Sequence, residues 1–196
     1  MKPPRPAPTR RVIATALGSA ALGAALLGAG VAPLSAQTSA DQSARAELRN
    51  PQGEPVGTAT LRDTPAGVLI HVKFSGLPPG SHAFHIHDVG KCDAPSFKSA
   101  GGHYNPTERQ HGLLNPEGPH AGDMPNIHVP RSGKLELEVL SGVDSVQDDL
   151  LSGDATALVV HSGPDDYHTD PAGAAGPRIA CGVITAEGTP SAPAAD

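Results

Sequence analysis

The sequence predicts an all-β domain, a sandwich or barrel of short antiparallel strands carrying two long loops. Three observations lead there. Short β-branched and apolar runs recur between turns rich in Gly and Pro, a spacing that favours strands over helices. No convincing amphipathic helix and no internal repeat breaks the series. Two spans, 88–125 and 162–177, lose the strand pattern while keeping histidines and carboxylates. Loops of that length in a compact domain are usually functional or disordered, and the candidate ligands inside the first favour function.

In chain order, residues 1–11 carry Lys2, Arg5, Arg10 and Arg11 and no acid. An apolar run from Val12 to Val31 follows, and small residues then suit cleavage after Ala36. This three-part layout predicts an N-terminal secretory signal over 1–36 and an exported, periplasmic or otherwise extracytoplasmic protein. The alternative is an uncleaved anchor, since the run approaches the ~20 residues that span a bilayer. Arg10-Arg11 is a weak pointer to twin-arginine export. Residues 37–44 read as a flexible lead, 45–186 as the folded domain and 187–196 as a Pro/Ala tail.

Strands are expected at Ala46–Arg49, Val56–Arg62, Val68–Phe74 and His82–His87. After the first long loop they resume at Asn126–Val129 and Lys134–Leu140. Ser141–Leu151 is acidic and irregular. Thr156–His161 and Arg178–Thr185 close the domain.

Charge narrows the function. The chain has 14 Lys+Arg against 20 Asp+Glu. Without residues 1–36, which hold four bases and no acid, the balance falls to near −10. A basic surface for nucleic acid is therefore not expected, and once processed the chain has no membrane segment. Cys92 and Cys181 are the two cysteines. In an oxidising compartment such a pair usually forms a disulfide, the alternative being two free buried thiols.

The chemistry centres on Phe84-His85-Ile86-His87. On a strand, His85 and His87 share one face while Phe84 and Ile86 share the other. That makes half of a metal site, or alone merely a strand with two surface histidines. His103, His111, His120 and Asp123 follow at intervals of eight, nine and three residues. Three imidazoles and a carboxylate suit a closed tetrahedral Zn²⁺ site, which would order a loop without a core of its own. His161 ends a later strand.

Six motifs now occur in order: Phe84-His85-Ile86-His87, Gly101-Gly102-His103-Tyr104-Asn105-Pro106, His111-Gly112, Gly118-Pro119-His120-Ala121-Gly122-Asp123, Val159-Val160-His161, and Pro177-Arg178-Ile179-Ala180-Cys181-Gly182-Val183-Ile184. Over nearly all of 45–185 the chain resembles the copper–zinc superoxide dismutases of the exported bacterial type. The resemblance implies a Greek-key β-sandwich or flattened barrel of about eight antiparallel strands, an architecture this family is known for. It implies one copper per chain on His85, His87, His103 and His161, and one zinc on His103, His111, His120 and Asp123, with His103 bridging. It also implies Asp165 as the carboxylate behind a copper-ligand and a zinc-ligand histidine, Arg178 beside the copper face, and a Cys92–Cys181 disulfide.

The implied reaction converts two superoxide anions and protons to O₂ and H₂O₂. Copper on imidazoles alternates between Cu²⁺ and Cu⁺ while zinc stays redox-inert. His103 would leave copper on reduction and carry a proton, a task suited to a ring with two ligating nitrogens. Arg178 would focus an anionic substrate on an acidic protein.

Two features depart from the wider family. Ala83 stands where Gly is frequent, and the second long loop brings no lysine, so further steering cations would come from Lys91, Lys98, Arg109, Arg131 or Lys134. His71, His82, His128 and His168 match no ligand position and read as surface or structural. The rival reading is a copper/zinc buffer or chaperone on the same fold, which would need exposed, exchangeable ligands. A homodimer is left open.

Overall fold

A computed structural model describes residues 43–188. The expected signal segment and residues 189–196 of the tail lie outside them. Ten strands form: β1 (Ser43–Arg49), β2 (Pro55–Thr64), β3 (Gly67–Ser75), β4 (Gly80–His82), β5 (Phe84–His87), β6 (Ile127–Val129), β7 (Lys134–Leu140), β8 (Ala157–His161), β9 (Arg178–Val183) and β10 (Thr185–Ala186). The main sheet runs β5-β8-β9-β1-β2-β3-β7, with β10 pairing β1, while β4 and β6 form a separate pair. Every pairing is antiparallel. The step from β3 to β5 crosses the whole sheet, and β7 returns to pair with β3.

Alternation builds the core. Along β1 the inward positions are Ala44, Ala46 and Leu48, and along β3 they are Val68, Ile70, Val72 and Phe74. On the edge strand β7, Leu135, Leu137 and Val139 pack against the same core only partly buried, since no further strand covers them. Phe74 meets Phe84 edge-to-face at 5.8 Å between ring centres, linking β3 to the site strand β5.

β8 is buried at all five positions. Leu158 and Val160 face the main core. Ala157 and Val159 face a second cluster of Phe97, Ala100 and Cys181, with Cys92 against it. The Cys92–Cys181 disulfide, 5.6 Å between Cα atoms, holds the first long loop over that second face. A strand buried on both faces loses alternation, which is why β8 reads as an apolar run.

Four local expectations need correction. His82–His87 is not one strand. It breaks at Ala83, whose N–H donates to Gly163 O at 2.8 Å and whose carbonyl accepts from His161 N–H at 2.9 Å. Those partners draw the chain from the β4–β6 pair into the main sheet. Arg178–Thr185 is likewise two strands, parted at Ile184, whose N–H donates to Thr156 O. The irregular acidic span contains one π-helical turn, Val146–Leu150, with Ser145 accepting from Asp148 N–H at its start. The first strand also begins at Ser43, inside the stretch read as a flexible lead.

Candidate metal centre

β5 lays the foundation. It pairs with β8 on one edge, His85 opposite Val159 and His87 opposite Ala157. Its other edge holds the long loop: Ile86 N–H donates to Gly122 O, Asp88 N–H to Gly102 O, and Tyr104 N–H to Ile86 O. These bonds set His103 opposite His87 and Asp123 opposite His85. The approach requires glycine at 122, where a Cβ would lie 2.3 Å from Ile86 O. His161 arrives at the end of β8, next to a register shift after Val160.

All seven predicted ligand side chains converge and all are buried. They form two groups, His85, His87, His103 and His161, and His103, His111, His120 and Asp123, each with its ligand atoms within 4.8 Å of one another. His103 belongs to both. Its Nδ1 lies 2.8 Å from Asp123 Oδ1, while its Nε2 is buried with no hydrogen-bond partner among the described residues.

The ring nitrogens sort by role. His85 Nε2–H donates to Asp165 Oδ2 at 2.8 Å, which leaves its buried Nδ1 unpartnered. His87 Nδ1–H donates to Gly101 O and His161 Nδ1–H to Gly176 O, leaving two Nε2 atoms 3.5 Å apart. In each ring one nitrogen is fixed by an acceptor and the other is turned inward with a free lone pair, the arrangement of metal-ligating histidine.

Around Asp123, Oδ2 accepts the N–H groups of Gly112 at 2.9 Å and His120 at 3.0 Å. Oδ1 lies within 3.4 Å of Nδ1 of His103, His111 and His120. Three imidazole nitrogens around one carboxylate oxygen form a cation's donor set, and the orphaned His120 Nδ1 fits it as well.

For His85, His87 and His161 the electrostatics agree. Burial pushes His85 down to about 4 and His161 down to about 3, and places His87 well below its ordinary range. These rings are neutral at pH 7, as ligands must be. Burial also pushes on His111, but hydrogen bonds to Asp123 and Asp165 outweigh it and raise the ring to about 9. Those bonds hold both carboxyls well below the usual range despite burial.

Asp165 spans the two groups, with Oδ1 3.0 Å from His111 Nε2 and Oδ2 on His85. Asn126, which sequence reasoning passed over, fixes it: its Oδ1 accepts from Asp165 N–H and its Nδ2 donates to Asp165 O. An asparagine at the edge of a strand carries no sign of a partner 39 residues away. Arg178, half-buried at the start of β9, donates from Nη1 to Phe97 O and from Nη2 to Gly101 O, both at 2.5 Å. Lys98, between Phe97 and Gly101 in the chain, is exposed, whereas Arg109 is turned to Gly118 O in the first long loop.

The four remaining histidines join neither group. His82 is buried and structural, its ring set between the carbonyls of Pro78 and His161. His71 faces Glu136, His128 faces Ser81, and His168 is exposed.

Comparison with known proteins agrees with this geometry. The family model for copper/zinc superoxide dismutase matches residues 56–184. Superoxide dismutase [Cu-Zn] 2 of Aquifex aeolicus is 54% identical over 156 residues, 77% of this chain and 91% of that protein. Among solved structures, a SOD-like protein from Bacillus subtilis aligns with a TM-score of 0.68 at 37% identity, covering 72% of this chain and 97% of that one. Cu/Zn superoxide dismutase from Brucella abortus aligns at 0.62 with 31% identity, covering 74% and 100%. With strand order, histidine pairs and sequence all in accord, this chain belongs to the copper/zinc superoxide dismutase family.

Proposed function

We propose that the protein removes superoxide outside the cytoplasm, with copper on His85, His87, His103 and His161 and zinc on His103, His111, His120 and Asp123. The observation that carries this reading is the His103 ring, which belongs to both groups of ligand atoms. Bound copper supplies one-electron chemistry between two oxidation states, and zinc supplies none.

The protein's own groups do the rest. Asp165 holds the Nε2–H of His85 and His111 and so turns the Nδ1 of each inward. Gly101 O and Gly176 O do the converse for His87 and His161. His103 Nε2 is the atom suited to holding and handing on a proton, since Nδ1 is engaged on the Asp123 side. Arg178 places a guanidinium against the loop that carries His103, where it attracts a small anion.

Residues 1–36 act as the export signal in this reading, and the disulfide supports an oxidising destination. Among the described residues no helix is long and apolar enough to cross a membrane. The rival reading, a metal buffer or chaperone, calls for exposed ligands, whereas all seven here are buried.

The test is superoxide decay followed with purified protein before and after loading with both metals. Superoxide dismutases work near the diffusional ceiling, so a rate constant of ~10⁸–10⁹ M⁻¹s⁻¹ is expected for the loaded form. Protein that takes up both ions without speeding the decay would leave only the buffer reading.

A further inference from the structure

We infer that zinc reaches its group through the groove beside His120, on the opposite electrostatic side from the substrate; the inference rests on the zinc assignment proposed above. Side-chain exposure singles out the entrance. His111 and Asp123 are 0% exposed and His103 is 2%, while His120 is 7%. The buried Nδ1 of His120 points inward, 3.4 Å from Asp123 Oδ1, so the far edge of the ring is what meets solvent.

That ring forms part of the wall of a groove of about 440 Å³, between the 104–121 stretch of the first loop and the segment leading into the π-helical turn. Tyr104, Thr107, Arg109, Asp144 and Asp149 line it with His120. Asp149 is engaged by Tyr104 O–H and Ser145 N–H. Asp144 is exposed, and its carboxylate makes no hydrogen bond among the described residues. On the Nε2 side of the same ring, Asp170 Oδ1 stands 3.9 Å away. Arg109 is the opposing charge, with its guanidinium drawn onto Gly118 O.

The approach to the zinc group is therefore set mainly with carboxylates. The other metal group lies beside Arg178, a setting that favours an anion and repels a cation. Entry by His120 spares a divalent ion from passing that guanidinium, and it leaves the Arg178 side to superoxide. The route through the Asp165 side is closed, since Asp165 is 1% exposed and His85 0%.

Copper-loaded, zinc-free protein mixed rapidly with Co²⁺ provides the experiment, because cobalt in a tetrahedral nitrogen–oxygen site has a visible d–d spectrum. Asp144→Asn should slow cobalt uptake roughly fourfold at low salt, with the difference fading as ionic strength rises. Thr107→Trp, which fills the groove from an exposed position, should slow it on the order of tenfold by making entry wait on side-chain movement. Final cobalt stoichiometry should stay at one, and Cu²⁺ uptake by zinc-loaded, copper-free protein should be unchanged in both variants. Wild-type cobalt rates in both variants would overturn the route, as would parallel slowing of copper uptake. If wild-type protein gave no tetrahedral cobalt spectrum, the zinc assignment would fall, and the route with it.

Discussion

Arg178 performs two tasks with one guanidinium, and two substitutions separate them. The fork donates to Phe97 O and to Gly101 O, and Gly101 O also receives Nδ1–H of His87. The side chain thus supplies positive charge and fastens the segment that orients His87. Arg178→Lys keeps the charge, but a compact ammonium on a flexible stem does not reproduce the planar fork. Losing one charge-assisted bond costs about 1.5–3 kcal/mol, and a half-exposed setting favours the lower end. At roughly 2–4 °C per kcal/mol, Tm should fall by roughly 3–6 °C. Arg178→Gln gives up the charge as well, and at low salt its superoxide rate should drop at least ~10-fold, less so as salt rises. Calorimetry, copper content and rate against ionic strength, measured on all three proteins, decide the matter. If the lysine variant slows as much as the glutamine variant while retaining copper, charge is not what Arg178 contributes. If its Tm is unchanged, the fork does not hold the loop.

Other outcomes follow from the same contacts. Asp123→Ala removes the oxygen among three imidazoles and strips the Gly112 and His120 amides of their acceptor; zinc should be lost and amides in 101–125 should exchange faster, and wild-type zinc content would exclude Asp123 as a ligand. Cys92→Ser opens a link across 89 residues, worth ~4.5 kcal/mol in the chain-entropy account; a Tm fall of roughly 10 °C is expected, and a fall under ~2 °C would make the bridge marginal. In metal-free protein, His85 and His161 fold neutral, with values lowered to about 4 and about 3. Their contribution is full above the unfolded value near 6.5 and is lost as pH falls toward 4, by ~3 kcal/mol for His85 alone. His111, raised to about 9, behaves oppositely: its contribution is full below ~6.5 and fades as pH rises to about 9. Urea midpoints of the metal-free protein should therefore peak near neutrality; a flat profile from pH 6.5 to 4 would contradict the buried-neutral account.

What the sequence revealed and what it concealed differ in range. Strands announced themselves through neighbours: Val68, Ile70, Val72 and Phe74 alternate because one face of β3 meets the core. The break at Ala83 had no such signal, because its cause is hydrogen bonding to His161 and Gly163. The role of Asn126 was hidden for the same reason, as its partner is Asp165. His82 stayed ambiguous between surface and structure, because two backbone carbonyls decide its burial.

The metal groups were legible despite their separation, and the reason is compositional. Between Gly101 and Pro125 the main core claims Met124 as its buried member, with Tyr104 and Ala121 packed alongside. Apolar burial on that scale does little to order twenty-five residues, each of which costs ~1–2 kcal/mol of backbone entropy to fix. The stretch is instead tied by polar groups: Asp123 to two amides, Arg109 to Gly118 O, and Tyr104 to Asp149. A loop short of apolar residues yet rich in histidine invites one physical resolution, in which bound metal supplies the folding free energy that a core would otherwise provide. Histidines with no apolar period around them are therefore more informative than those set within a strand. By that logic His85 and His87 became diagnostic only once His103, His111 and His120 stood beyond them in the chain.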